Sequence, residues 1–292
     1  MPGEAHWRAG GWRRVTSEPQ NEAGEASAPP ASDPIIDTTV AHQARIYDYL
    51  AGGNAHFAVD REAARYQAEA YGGEERARRD IRANRDFIGR VIRYLAGEAG
   101  IRQFLDIGTG IPKEDDLHGV AQQTASDARM VFVDNDDAVL AHAHELMQTT
   151  PEGIARFVKG DFFDPPAVLA EAGESLDFTR PTALMLVALL HLHGDELHPH
   201  ETVARYIDGL PSGSYLVMTH LSTDIDPAAT QGLARAAESA NVDYGFALRS
   251  EAEFTRFFDR LELVEPGIVP VTAWRTEVDF VAPFWSGVGR KP

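Results

Sequence analysis

The 292-residue chain predicts an α/β protein: a doubly wound, mostly parallel sheet with an antiparallel edge, preceded by a helical cap. Three observations carry that expectation. From about residue 101 onward, short apolar runs alternate with helical stretches, as they must when each crossover helix covers one face of a parallel sheet. Before that point, residues 38–99 keep a helical period with no strand-like run. Within the second part, Gly108-Thr109-Gly110 follows the first expected strand directly, at the sheet end where such folds bind ligands.

The elements follow in chain order. Residues 1–36 are rich in Pro, Gly, Ala, Ser and Glu and lack an apolar period, so they are expected to be a disordered tail. Residues 37–100 are expected to form the cap. In its first helix Val40, Ala44, Tyr47 and Leu50 recur at helical spacing, until Gly52-Gly53-Asn54 breaks it. A second helix is expected over 60–71, ended by Gly72-Gly73. A third starts near Glu74, with Ile81, Ile88, Val91, Ile92 and Leu95 mostly on one side. Its arginines, from Arg76 to Arg93, are interleaved with Glu74, Glu75, Asp80 and Asp86, the pattern of a salt-bridged, solvated helix face.

The main domain, 101–292, is expected to carry strands at 103–107, 130–133, 154–158, 183–190 and 215–219. Helices are expected near 117–125, 137–147, 167–171, 201–209, 228–239 and 250–258. Two late strands are expected at 261–264 and 278–284. No crossover helix fits between them, so they should pair antiparallel at one edge.

Composition narrows the function. A hydrophobic fraction of 43% suits a globular protein, and no apolar run approaches the roughly 18 residues of a membrane helix. A formal net charge of −18 opposes a wide nucleic-acid footprint and favours small-molecule, peptide or cationic partners. The absence of cysteine removes disulfides, thiolate nucleophiles and Cys-based zinc sites. With no apolar signal near the first residues, a cytoplasmic protein is expected.

The residues with chemical potential cluster at strand ends. Glycines at 108 and 110 let backbone N–H groups approach a ligand. A dinucleotide fingerprint would need a third small residue where Lys113 stands, so a ligand without a pyrophosphate fits better. Asp134, ending the second strand, can accept hydrogen bonds from both hydroxyls of a ribose, or cap the next helix. Asp161, after the third strand, can reach an adenine amino group with Phe162 flanking the ring, or serve as a turn carboxylate. Together these strand ends describe a nucleoside crevice at the switch point of the sheet.

The succession resembles the class I S-adenosylmethionine-dependent methyltransferases. More closely, it resembles a bacterial family of such enzymes formerly filed as a domain of unknown function. The resemblance covers about residues 38 to 290. It is carried by Ala44-Arg45-Ile46-Tyr47-Asp48-Tyr49-Leu50-Ala51-Gly52-Gly53-Asn54, Phe57-Ala58-Val59-Asp60-Arg61, Ala83-Asn84-Arg85-Asp86-Phe87, the run from Phe104 to Pro112, and Val133-Asp134-Asn135-Asp136. Leu189-Leu190-His191 and Leu263-Val264-Glu265-Pro266-Gly267 complete it. It implies a Rossmann-like domain with strand order 3-2-1-4-5-7-6 and S-adenosylmethionine as methyl donor. It adds Asn84, Arg85, Asp106 and Asn135 to Gly108, Thr109, Gly110, Asp134, Asp161 and Phe162 as cofactor-binding candidates. One departure stands out: after Pro112 the family continues with a small residue, Gly and Asn, whereas this chain has Lys113, Glu114, Asp115 and Asp116 before Leu117 and His118.

His191 is the candidate catalytic or acceptor-binding residue, at the floor of the crevice. Its neighbours His193, Asp195, His198 and His200 invite a metal, but a loop leaving the fourth strand does not converge them, and none is expected. The acceptor is expected to be a small molecule; Tyr47, Tyr49, Phe57, Tyr66 and Tyr71 of the cap could line its pocket or simply pack. A SAM-binding regulatory protein without turnover is the alternative reading. A nicotinamide-dependent oxidoreductase is the weaker one, with Lys113 against it.

Overall fold

The computed structural model describes residues 37–111, 117–136, 139, 149–239 and 245–292. Five parallel strands form the body of the sheet: β1 Gln103–Ile107, β2 Arg129–Asp134, β3 Ile154–Lys159, β4 Ala183–Val187 and β5 Tyr215–Leu221. β6 Glu262–Leu263 and β7 Val269–Pro270 both pair antiparallel with β8 Phe284–Arg290, and β8 pairs antiparallel with β5. The order is β3-β2-β1-β4-β5-β8-β6, with β7 beside β8. With the two-residue β7 set aside, this is the expected order, and the fold is that of a class I methyltransferase.

β1 and β5 are buried along their whole length, which is why they read as continuous apolar runs. Side chains alternate across the sheet. Phe104, Met130, Phe132, Met185 and Val217 face one core, and Leu105, Val131, Leu184, Leu216 and Met218 face the other. Helices α5 Pro165–Ala172 and α6 Pro199–Asp208 cover the second face through Val168, Tyr206 and Ile207.

The N-terminal helices are α1 Gln43–Leu50, α2 Ala58–Tyr71 and α3 Glu74–Gly97. The first half of α3 packs Ala77 and Ile81 with Ile46, Leu50 and Tyr71 of α1 and α2. Its second half packs Phe87, Val91, Ile92 and Leu95 into the first sheet core, with α4 Leu117–Thr124 alongside. One continuous helix thus ties the cap helices to the sheet. Three of its arginines pair within the helix as the charge pattern implies: Arg78 with Glu74, and Arg76 and Arg79 with Asp80; Arg76 also pairs with Asp226.

Two elements differ from expectation. The last strand starts at Phe284 rather than 278; Val278 and Val281 are exposed, so the apolar pattern there marks surface. Its place inside the sheet, with β6 at the edge, is the expected one. The fourth strand stops at Val187, because Ala188 takes a left-handed backbone (φ 52°) and a 3₁₀ turn follows at Leu190–Leu192. The tail, most of the helix expected over 137–147 and the loop at 112–116 lie outside the described residues.

Candidate functional site

The carboxyl ends of β1 to β4 open onto one cleft of about 470 Å³, where the strand order reverses between β1 and β4. Gly108, Thr109 and Gly110 line it from β1, Asp134 and Asn135 from β2, and Asp161 and Phe162 from β3; Arg85 reaches it from α3. These are eight of the ten residues expected to bind cofactor.

The turn after β1 is folded back on β2. Gly108 and Thr109 N–H groups both donate to the Val133 carbonyl, at 2.8 and 3.3 Å. Gly108 and Gly110 have φ of +71° and +68°, a region that side chains avoid. At Gly108 a Cβ would also sit 2.5 Å from Leu189 Cδ1, so this glycine lets the β1 and β4 ends close on each other.

Asp134 is a buried carboxylate at the end of β2. One carboxylate oxygen accepts the Gly110 N–H at 2.9 Å and the other the Asp136 N–H at 3.0 Å. Burial pushes its pKa above the usual carboxylate value, and these two backbone bonds oppose the rise. Each oxygen keeps a further lone pair, so the group can still receive two hydroxyl donors. Asp161 is exposed and accepts the Phe163 N–H at 2.9 Å, a turn geometry. Phe162 is buried, with its ring stacked between Tyr206 and His193, at centroid distances of 5.7 and 6.3 Å. Arg85 has no ion pair among the described residues, unlike Arg76, Arg78 and Arg79 of the same helix.

Two expected cofactor residues fall elsewhere. Asp106 is buried within β1 opposite Phe132 and Met185, on the sheet face covered by α3 and α4 rather than in the cleft. Asn84 is fully buried behind Tyr47, donating to its hydroxyl at 3.2 Å.

His191 is not on the cleft floor. It lines a second, smaller cavity of about 60 Å³, together with Ile46, Tyr71, Leu233, Phe246 and Phe284. Gln43 and Tyr47 line both spaces and stand between them. His191 stacks on Phe246 at 5.6 Å and meets His220 edge-on at 5.7 Å. Burial, then the neighbouring His220, hold its pKa well below the ordinary histidine value. Of the cap aromatics, Tyr47 and Tyr71 line this cavity. Tyr49 instead bonds Glu74 under Arg78, Tyr66 is exposed, and Phe57 lies under Arg45.

The histidine-rich segment does not converge on a metal. His193 lines the main cleft, His191 the inner cavity, and Asp195 pairs with Arg249 at 2.6 Å. No cluster of metal-ligating side chains occurs among the described residues.

Sequence reasoning missed the α1 wall of the cleft. His42, Gln43 and Asp48 line it, because α1 is strapped across the sheet end by buried carboxylates. Asp60 accepts from Arg45 Nε, His42 N and Phe57 N at 3.0, 3.0 and 2.8 Å, and Asp48 holds Ala55 N and His56 Nδ1 at 2.9 and 3.0 Å. The residues that carry the family resemblance in 44–61 thus frame the cleft. Ala188, Leu189 and His193 were also missed, since no glycine announces the turn at Ala188.

The chain matches the S-adenosyl methyltransferase family over residues 30–292. It is similar to a solved DUF574-family protein from Streptomyces avermitilis MA-4680, with 41% identity and a TM-score of 0.83, covering 88% of this chain and 99% of that one. It is also similar to a solved protein from Thermobifida fusca YX provisionally assigned as a methyltransferase, with 37% identity, a TM-score of 0.79 and coverage of 87% and 96%. No curated protein matches it. Neither the regulatory nor the oxidoreductase reading is favoured by these likenesses. No helix among the described residues is long and apolar enough to cross a membrane. With its cleft at the switch point and this match along the chain, the protein belongs to the S-adenosyl methyltransferase family and is an S-adenosylmethionine-dependent methyltransferase.

Proposed function

We propose that the cleft binds S-adenosylmethionine through Asp134, Asp161, Phe162 and Arg85, and that the enzyme methylates a small molecule held beside it. The donor set fits the ligand. Asp134 has free acceptor capacity for two ribose hydroxyls. Phe162 offers an apolar edge and Asp161 an acceptor for adenine, and Arg85 lines the cleft with no carboxylate partner among the described residues. Arg85 would take the amino-acid carboxylate, and the Gly108–Gly110 turn would let the ligand approach the backbone.

When bound, S-adenosylmethionine supplies a methyl group already activated on a sulfonium. The chain then has to orient the acceptor and keep water out, with an optional proton acceptor. Tyr47 and Gln43, standing between the cleft and the His191 cavity, are suited to orienting it, and His191 to contacting it.

The observation that carries the reading is the convergence of Gly110, Asp134 and Asp161 on one cleft beside a separate apolar cavity. S-adenosylhomocysteine at about 100 times its dissociation constant should stabilise the chain by roughly 2.7 kcal/mol. A melting shift with NADH and none with S-adenosylhomocysteine would overturn the donor assignment. Mass-spectrometric detection of a methylated product from a small-molecule panel tests the acceptor; methylation of proteins alone would overturn that half.

A further inference from the structure

The segment after β4 brings His193 to the main cleft, which it lines together with Asp161 and Phe162. Its ring lies 15° from the plane of the Phe162 ring and perpendicular to that of Phe163, at 5.0 Å. The main chain beneath it is held. Arg249 donates to the His193 carbonyl at 3.0 Å, and the His193 N–H donates to the Leu190 carbonyl at 3.3 Å. A ring on a fixed backbone between aromatic neighbours has little freedom to lose when a ligand binds. Yet the ring is half-buried, and neither of its nitrogens has a hydrogen bond or ion pair among the described residues.

Asp161 stands near it with capacity to spare. One of its oxygens accepts the Phe163 N–H at 2.9 Å, and the other has no partner among the described residues. Burial lowers the His193 pKa while the Asp161 charge opposes the fall, so at neutral pH the ring is uncharged and carries one N–H donor. A carboxylate acceptor and an imidazole donor thus share one stretch of the cleft wall. Adenine presents the complementary edge: an amino group that donates, flanked by the ring nitrogens N1 and N7, which accept. Leu197, on the same segment, lines the cleft and is 46% exposed, an apolar side chain that a bound base would cover.

We propose that His193 reads the base of the methyl donor, its ring N–H donating to N1 or N7 of the adenine whose amino group Asp161 receives; the proposal rests on the reading of this cleft as the S-adenosylmethionine site. Hypoxanthine carries a carbonyl where adenine carries the amino group. It would set an acceptor against the Asp161 carboxylate, so the pair selects adenine.

Calorimetric titration of the full chain with S-adenosylhomocysteine, its 1-deaza and 7-deaza analogues and S-inosylhomocysteine tests this. At least one deaza analogue should bind about five- to tenfold more weakly than S-adenosylhomocysteine, the value of one hydrogen bond. S-inosylhomocysteine should bind more weakly by about tenfold or more. His193→Phe keeps an aromatic ring against Phe162 and removes the N–H. It should weaken S-adenosylhomocysteine by the same five- to tenfold or so and abolish the penalty of that deaza analogue. A ring that only packs would, when replaced, weaken all four ligands alike and leave their ratios unchanged.

Equal affinity for S-adenosylhomocysteine and both deaza analogues overturns the proposal. So does a deaza penalty that persists in full in a folded His193→Phe variant, because another donor then holds that nitrogen. Should the variant not fold, NMR of the unmodified chain decides: the His193 ring N–H resonance must shift with S-adenosylhomocysteine and not with the penalised analogue, and equal shifts overturn the assignment. Failure of S-adenosylhomocysteine to bind at all removes the donor reading and this proposal with it. Binding without the expected ratios removes the proposal alone.

Discussion

Asp134 at the end of β2 accepts the Gly110 backbone N–H at 2.9 Å, so the carboxylate read as a ribose ligand also holds the glycine turn after β1 in shape. Binding group and loop geometry are therefore coupled, and substitutions at either end should be felt at the other.

Asp134→Ala should weaken S-adenosylhomocysteine binding by about ten- to a hundredfold, the value of charge-assisted hydrogen bonds of roughly 1.5–3 kcal/mol. The binding form is the carboxylate, and burial raises its pKa. Affinity should therefore fall on acidification, beginning at a higher pH than for an ordinary aspartate. Asp134→Asn should bind weakly and lose that pH dependence. Calorimetry from pH 4 to 8, with melting curves on each variant, checks both; unchanged affinity in Asp134→Ala would remove it from the site.

The two glycines should respond differently to alanine. Gly110→Ala meets no neighbouring atom and should cost about 1–2 kcal/mol for its left-handed backbone alone. Gly108→Ala adds a collision with Leu189 Cδ1 and should cost about 1–3 kcal/mol more. Adding Leu189→Ala to Gly108→Ala should recover part of that excess. Denaturant titration of the three variants measures the coupling.

Arg249 is buried and holds the segment after β4. It donates to the Leu190 and His193 carbonyls at 2.9 and 3.0 Å, and it reaches His220 Nε2 at 2.7 Å. Its ion pair with the exposed Asp195 contributes little by comparison. Arg249→Met leaves buried acceptors unpaired and should destabilise by about 2–4 kcal/mol. Because His193 lines the cleft, donor affinity should also fall, while Asp195→Ala should change stability by under about 1 kcal/mol.

His191 and His220 should make the fold acid-sensitive. Burial and Arg249 push the His220 pKa down to about 3, and His191 also lies well below its ordinary value. The unfolded chain then binds more protons than the native one between about pH 6.5 and 3, so stability is full above that window and is lost as pH falls through it. His220→Gln should flatten the slope of melting temperature against pH. For the same reason His191 should contribute no inflection near pH 6.5 to turnover. His191→Ala should spare S-adenosylhomocysteine affinity and lower turnover, by about 10²–10⁴ where the ring accepts the acceptor's proton.

The inner strands were legible because each is a short apolar run ended by a turn residue, and both faces of a parallel sheet are buried. The last strand was not. Its Gly287 and Gly289 look like breakers, but a Cβ at Gly287 would lie 2.6 Å from Ile268 Cδ1 and 2.7 Å from the Phe258 ring, so the glycines admit packing from segments 19 and more residues away. Likewise, the apolar run 183–190 gives no sign of the turn at Ala188, where the backbone is held by the Thr219 hydroxyl at 3.0 Å, from β5.

The sequence by itself determined the alternation of strands and helices, the sheet order through its family resemblance, and the set of strand-end residues from Gly108 to Phe162. The first and the last are local properties, carried by neighbours along one strand or turn; the order came only with the resemblance. Only the tertiary structure decided that α1 closes the cleft through Arg45 and Asp60, that Asp106 and Asn84 stand behind it, and that His191 faces a separate chamber. Each depends on which distant segments meet across the end of the sheet, and spacing along the chain does not encode that.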